Sequence, residues 1–389
     1  MKPVLFVTGH APAYRIGALT ALHEREHIEL ALFGGRLRHG GPAAQATAHA
    51  PFRVRHVAPR ELYALAASGR YRAVVCPTAG RLAPLATWAG ARRSRTALIL
   101  WASLWAHPRT PAHALSYLPL RHLYASADAV VTYGEHVSSY VRARGARNVF
   151  VAAQSVDNDF WGAASPSPPS TPSSSPSPSP AARAGWPRGD PTRFLFVGRA
   201  EREKGLHVLL DAWVRSGLRS PGAALVLVGE GLERELARHA ARPEPPRDVH
   251  ALGSADRFAL RAIYAACDVL VVPSIATRTF REPWGLVVNE AMNSGLPVIA
   301  SDAVGAAAGG LVRDGETGLI LAAGDAGALS RALTQLAASR QLRERMGAAG
   351  ALAVRAFSHA EWARGFSRAL ESLALAREDE GAGSVRRSQ

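Results

Sequence analysis

Arg281-Glu282-Pro283-Trp284-Gly285-Leu286-Val287-Val288-Asn289-Glu290-Ala291-Met292-Asn293-Ser294-Gly295-Leu296-Pro297-Val298 is the stretch from which the rest of the chain is best read. Pro283 pins the backbone, and Gly285 permits a turn that other residues resist. From Leu286 the apolar pattern predicts a buried helix, closed by Ser294-Gly295 and stopped by Pro297. Glu282 then lies on the loop feeding the helix and Glu290 about one turn inside it. Free N–H groups at the helix start suit a phosphate, and a carboxylate one turn further in can accept hydrogen bonds from a neighbouring hydroxyl. Phosphate beside hydroxyls is the chemistry of a sugar nucleotide.

Around this stretch the sequence alternates short apolar runs with helical patterns. Phe194–Val197, Ala224–Val228, Val249–Leu252, Val269–Pro273, Val298–Ser301 and Gly318–Ile320 read as strands. Helices follow from about Asp325 to Ala337, Arg340 to Arg355 and His359 to Leu375. The first 160 residues repeat the alternation. Val4–Val7, Ile28–Phe33, Val74–Cys76, Ala97–Leu100, Ala129–Thr132 and Val149–Val151 read as strands; Ile16–His23, Arg60–Ala67, Pro84–Arg93, Pro111–Ala125 and Val137–Arg144 read as helices. Such alternation implies parallel sheets covered by helices on both faces, with binding loops beyond the strand C-termini. In the first half those loops include Gly9-His10-Ala11-Pro12, Ala102–Arg109 and Tyr133-Gly134-Glu135. Ser165 to Pro180 is an unbroken run of Ser, Pro and Thr, which cannot bury apolar surface and predicts an extended linker.

Composition bounds the function. At 389 residues the chain exceeds one typical core, and 48% apolar content with moderate charge describes a folded protein. No apolar run approaches the ~20 residues that cross a bilayer, and the opening residues suit a first strand better than a signal peptide. Two cysteines, Cys76 and Cys267, sit in apolar segments and read as reduced core residues of a cytoplasmic protein. The net charge of +15 is concentrated in the first half. Without an aromatic–basic repeat or helix-turn-helix pattern this surplus does not indicate nucleic acid; genome-wide arginine bias and an anionic membrane surface both account for it. Only Lys2 and Lys204 are lysines, so Lys204, on a loop, marks a place where a compact ammonium is wanted.

Further motifs join the opening stretch. Phe196-Val197-Gly198-Arg199-Ala200-Glu201-Arg202-Glu203-Lys204-Gly205 is a strand, a Gly turn, a charged loop and a helix start; Arg199 and Lys204 flank that start and could clamp a diphosphate. Val228-Gly229-Glu230-Gly231-Leu232, the strand ending Pro273-Ser274, and Asp314-Gly315-Glu316-Thr317-Gly318-Leu319 follow in order. From Arg193 to Leu375 this series resembles the second domain of retaining glycosyltransferases of the GT-B fold, in the large group called family 4. Ser155-Val156-Asp157 resembles the Gly-Val-Asp closing that family's first domain, with Ser for Gly.

The resemblance implies two Rossmann-like domains facing a cleft, with a C-terminal helix crossing back. The expected division is an acceptor-binding domain over 1–162, a Ser/Pro-rich linker over 163–190, a nucleotide-sugar domain over 191–358, the crossing helix over 359–377 and a flexible tail over 378–389. It implies that Arg199 and Lys204 hold the donor's diphosphate, that Glu282 faces the donor sugar, and that Glu290 accepts hydrogen bonds from the ribose. Trp284, Gly285 and Leu286 would present backbone groups, while Gly198 and Gly253 would let the nucleotide approach. His107 falls about where relatives place a histidine touching the donor sugar. The first half departs from the pattern: Gly9, His10, Tyr14 and Arg15 are the acceptor candidates, and Glu135 a weaker one. The implied reaction is transfer from a UDP- or GDP-sugar to a glycan or lipid-linked hydroxyl, with retention and no required metal or cofactor. A peripheral position on the inner membrane face would follow from docking of the basic half, through Pro111–Ala125 and the Arg92-Arg93-Ser94-Arg95 cluster. A nucleotide-sugar epimerase and a non-catalytic scaffold of the same fold are the alternatives.

Overall fold

Strands that are apolar at nearly every position, rather than at every second one, need cover on both faces. The computed structural model, which describes residues 1–34, 47, 49–80, 82–163 and 186–376, supplies it twice. In the first domain β1 (Val4–Thr8), β2 (Ile28–Leu32), β3 (Val54–His56), β4 (Ala73–Pro77), β5 (Ala97–Ala102), β6 (Ala129–Thr132) and β7 (Val149–Val151) form a parallel sheet ordered β3-β2-β1-β4-β5-β6-β7. In the second, β8 (Thr192–Val197), β9 (Ala223–Val228), β10 (Val249–Ala251), β11 (Val269–Val272), β12 (Val298–Ser301) and β13 (Gly318–Leu321) are ordered β10-β9-β8-β11-β12-β13. All five residues of β1 and all six of β9 are buried. Each order reverses beside its first strand, at β1/β4 and β8/β11, the crevice where open α/β sheets bind ligands.

The chain changes domains twice. Val156 and Trp161 are buried in the second domain's core, where the Trp161 ring lies 5.7 Å from that of Tyr264. The crossing thus occurs at about Val156, earlier than the expected boundary after residue 162, because the indole of Trp161 is packed there. The return is made by the helix His359–Glu371, whose Trp362 and Phe366 are fully buried in the first domain's core. Their rings pack around Phe6 and Trp101, with centroids 4.6–6.1 Å apart. The two crossings touch: Ser155 Oγ lies 3.0 Å from His359 Nδ1, and Asn158 Nδ2 donates to the Val354 carbonyl at 3.3 Å.

Several boundaries differ from the expected ones. Strand β3 is additional. The first helix begins at Ala13 rather than Ile16, since Pro12 (φ −67°) already holds the geometry of a helix entrance, so Tyr14 and Arg15 stand on its first turn. The helix expected at Val137 begins at Glu135, and the last one ends at Glu371, short of Leu375. Most of the Ser/Pro linker (164–185) and the tail from 377 lie outside the described residues.

Candidate functional site

The C-terminal ends of both sheets open into one cavity of about 710 Å³ between the domains. The second domain contributes the loops after β8, β9, β10 and β11 and the start of the helix Val287–Asn293; the first contributes His10, Tyr14, Arg15, Ser103, Tyr133 and Gln154.

The loop after β8 is shaped by close backbone approach. Gly205 has φ +73°, and a Cβ there would collide with the Pro273 carbonyl, so only glycine brings this turn against the end of β11. The turn aims Lys204 at the loop quoted at the outset: Lys204 Nζ lies 2.5 Å from Glu282 Oε2. Glu282 is 7% exposed. Its backbone carbonyl accepts from Gly305 N–H and from the indole N–H of Trp105 in the other domain, each at 3.1 Å. Arg199 pairs with Glu201 at 2.6 Å. Both cations are therefore held by the protein's own carboxylates.

Beyond Glu282 the chain turns through Gly285 (φ +93°) into the helix Val287–Asn293. Gly285, Leu286 and Val287 line the cleft, where first-turn N–H groups lack intrahelical acceptors. The Trp284 side chain is 2% exposed and packs beside His136 and Phe357. Its indole donates to Asn289 Oδ1 at 2.8 Å, and Asn289 Nδ2 donates to the Gln154 carbonyl at 3.2 Å. Its indole thus braces the domain contact while its backbone meets the cleft.

Glu290 accepts from the Tyr264 hydroxyl at 2.8 Å. Burial raises its carboxyl to about 7, against the lowering effects of the Tyr264 hydrogen bond and of Arg257. Gly253 (φ +68°) accepts from Gly229 N–H at 2.9 Å, and it is Ser254, the next residue, that lines the cavity. Gly198 also lines it. Across the gap Arg15 stands with its guanidinium carbon 5.0 Å from the Trp101 ring centroid and 5.9 Å from that of Trp362. His10 and Tyr14 line the same wall, whereas Gly9 does not, lying instead against the Phe33 ring and accepting from Gly34 N–H at 2.8 Å.

His107, expected near the donor sugar, is not among the residues that line this cleft. Nε2–H donates to the His113 carbonyl at 2.8 Å, Nδ1 lies 3.3 Å from the Tyr140 hydroxyl, and the ring packs on Tyr117. It faces a separate cavity, because the loop after β5 turns away from the cleft beyond Ser103. Glu135 pairs with Arg142 at the surface. Sequence reading placed Ser103 and Tyr133 on binding loops without assigning them a role, and passed over Gln154 and the pairing of Tyr264 with Glu290. Ser103 and Tyr133 had a legible signal, both standing just past strand C-termini. Among the described residues no cluster of His, Cys, Asp and Glu is arranged to hold a metal ion.

The fold and its cleft define the class: two parallel-sheet α/β domains of the GT-B architecture. Residues 180–352 match the family Glycosyl transferases group 1. Over 192 residues it is 38% identical to a phosphatidyl-myo-inositol mannosyltransferase of Mycobacterium leprae, covering 49% of each chain. Over 159 residues it is 35% identical to the lipopolysaccharide core biosynthesis glycosyltransferase LpsE of Rhizobium meliloti, covering 40% of this chain and 42% of that one. The chain thus spans about half the length of the curated relatives it matches. Among solved structures, Anabaena HepE in complex with UDP and glucose superimposes with a TM-score of 0.71 at 19% identity, over 96% of this chain and 100% of that one, a likeness of fold.

Proposed function

We propose that the protein is a retaining glycosyltransferase that moves a sugar from a nucleoside diphosphate to a hydroxyl of a glycan or lipid-linked acceptor, in cell-envelope polysaccharide or glycolipid synthesis. The observation that carries the reading is the convergence of Lys204, Arg199, Glu282 and the Gly285–Val287 turn on one wall of the interdomain cleft. The similarity to a mannosyltransferase and to a lipopolysaccharide glycosyltransferase supports the reaction class.

In this reading the diphosphate displaces the two internal carboxylates and takes Lys204 and Arg199 for itself, with the Gly285–Val287 backbone donating to it. Glu282, released from Lys204, turns to the sugar hydroxyls, and Glu290 receives the ribose. The bond from the sugar's anomeric carbon to the phosphate oxygen breaks, and the bond to the acceptor oxygen forms on the same face. The acceptor's proton passes to the departing diphosphate. The two cations stabilise the charge growing on that leaving group, and enclosure between the domains strengthens them. His10, Tyr14 and Arg15 face the acceptor side.

The acceptor reading extends to an anionic bilayer. No helix among the described residues is long and apolar enough to cross a membrane. The helix Pro111–Ser126 nevertheless leaves Leu115 83% and Leu118 68% exposed beside the exposed Arg121, and the neighbouring helix Ala83–Ser94 exposes Arg92 and Arg93. Apolar side chains ringed by cations suit a surface carrying anionic lipid.

Calorimetric titration with UDP, GDP and their sugars tests the donor site. One nucleotide diphosphate should bind with 1:1 stoichiometry, Lys204→Ala should weaken that binding and abolish transfer while the fold persists, and full turnover in that variant would overturn the assignment. Conversion of the nucleotide sugar without any acceptor would instead indicate the epimerase.

A further inference from the structure

A second cavity, of about 640 Å³, opens beside the cleft and shares none of its lining residues. This is the size of small-molecule sites, about 300–1,000 Å³. Its walls are the Trp105–Thr110 loop after β5, the first turn of the helix Pro111–Ser126, and Tyr140 and Arg144. Ser103 lines the cleft and Trp105 this cavity, so no more than about 7 Å of chain separates the two spaces.

The chemistry of the lining is one-sided. It contains Arg109, Arg144 and His107 and no carboxylate. Among the described residues neither Arg109 nor Arg144 has an acidic partner within ion-pair distance, in contrast to the cleft, where Arg199 and Lys204 are both paired. Arg144 is moreover held in place: its guanidinium carbon lies 3.5 Å from the Tyr140 ring centroid and 5.5 Å from that of Tyr117, and its Nη1 donates to the Tyr140 carbonyl at 2.9 Å. Its Nε–H is buried without a hydrogen-bond partner among the described residues. A stacked, immobilised guanidinium is the arrangement that binds a planar or tetrahedral oxyanion with little further ordering. Burial raises the Tyr140 phenol, whose hydroxyl lies 3.3 Å from His107 Nδ1. Pro108 and Pro111 supply apolar surface for the C–H face of a sugar ring, beside the Trp105 indole, which carries the Arg281 guanidinium 3.7 Å from its centroid.

We infer that this cavity binds an anionic sugar, a phosphosugar or a uronate, with its charged group between Arg109 and Arg144 and its ring against Pro108 and Pro111. Its use as a handle on the acceptor, one residue away from the reacting hydroxyl, rests on the transferase reading; the binding does not.

The test is calorimetry on the full chain, with and without saturating UDP, using mannose 6-phosphate, methyl glucuronide, methyl glucoside and inorganic phosphate as probes. At least one anionic sugar should bind 1:1 whether or not UDP is present, and about tenfold more tightly than methyl glucoside or phosphate alone, the order of one charge-assisted hydrogen bond. Arg144→Met and Arg109→Ala should each weaken it about tenfold and leave UDP binding, the check on folding, unchanged. Displacement by UDP, equal affinity for phosphate alone, no binding of either anionic sugar, or unaltered affinity in the double variant would overturn the inference. If neither UDP nor GDP binds while the anionic sugar still does, the donor assignment falls and this one stands.

Discussion

The pairing of Lys204 with Glu282 implies that a donor diphosphate must compete with the protein's own carboxylate, and the competition can be measured. Glu282→Gln leaves the side chain's shape and removes its charge, so Lys204 is released before the nucleotide arrives. The pair has a short 2.5 Å separation, with the lysine side chain 25% and the glutamate side chain 10% exposed. Exposed pairs are worth ~0.2–1 kcal/mol and hydrogen bonds to charged groups ~1.5–3 kcal/mol, so a partly screened pair is placed at about 1 kcal/mol. UDP should therefore bind Glu282→Gln about fivefold more tightly than wild type, even as sugar transfer falls. Lys204→Met does the reverse. It removes the cation and leaves Glu282 facing the phosphates, and UDP affinity should drop about a hundredfold, ~2.7 kcal/mol. Adding Glu282→Gln to Lys204→Met should restore part of that loss, since the remaining repulsion disappears. Titration calorimetry with UDP on the four proteins, or with GDP if that is the nucleotide bound, reads all three numbers. If Glu282→Gln binds the nucleotide no more tightly than wild type, the diphosphate does not displace this pair and must lie elsewhere.

Glu290 gives a pH signature of unusual sign. Its carboxyl is raised by burial to about 7 in the folded protein, so its contribution to stability is fully present below the ordinary carboxylate value and is lost as pH rises through about 7. Glu290→Gln should therefore melt close to wild type at pH 5 and above it at pH 8, and equal melting shifts at both pH values would contradict the burial argument. Trp362→Ala, which empties the fully buried aromatic cluster under the returning helix, should cost about 3–5 kcal/mol; denaturant unfolding showing under 1 kcal/mol would mean that the helix is not docked. With Leu115 and Leu118 both changed to Ser, co-sedimentation with anionic vesicles should fall. Wild-type sedimentation should itself be abolished at about 1 M salt, where the screening length is ~3 Å. Failure of the wild type to sediment at low salt removes the docking reading.

The second domain was more legible than the first because its chemistry is written in short-range motifs. Gly198, Lys204 and Gly205 lie on one loop, and the backbone freedom of Gly205 is what the close approach to Pro273 requires. Strand β3 escaped for a local reason: Val54 is its one apolar residue, and at the sheet edge Arg55 is half-buried and His56 exposed, so no hydrophobic run marks it. That His107 lines a cavity separate from the cleft was not legible either. The residues that capture its ring, His113 and Tyr140, belong to two later helices that no local pattern connects to it.

What the sequence could not convey at all is the coupling between the halves, since it is made by single residues far apart in the chain. Trp105 reaches the Glu282 carbonyl, Arg281 lies with its guanidinium carbon 3.7 Å from the Trp105 ring centroid, and Arg109 N–H donates to the Arg278 carbonyl at 2.6 Å. His136 completes the contact. It donates to the Pro283 carbonyl at 3.4 Å, and burial lowers its imidazole to about 4, with the nearby Arg281 acting in the same direction. A histidine held neutral in this way adds stability that is present above its ordinary value and lost as pH falls through about 4. The same loop, Arg278 to Glu282, thus ends in the carboxylate that holds Lys204 and carries three contacts with the first domain along its length. A ligand that drew Lys204 away from Glu282 would therefore act on a segment in contact with both domains.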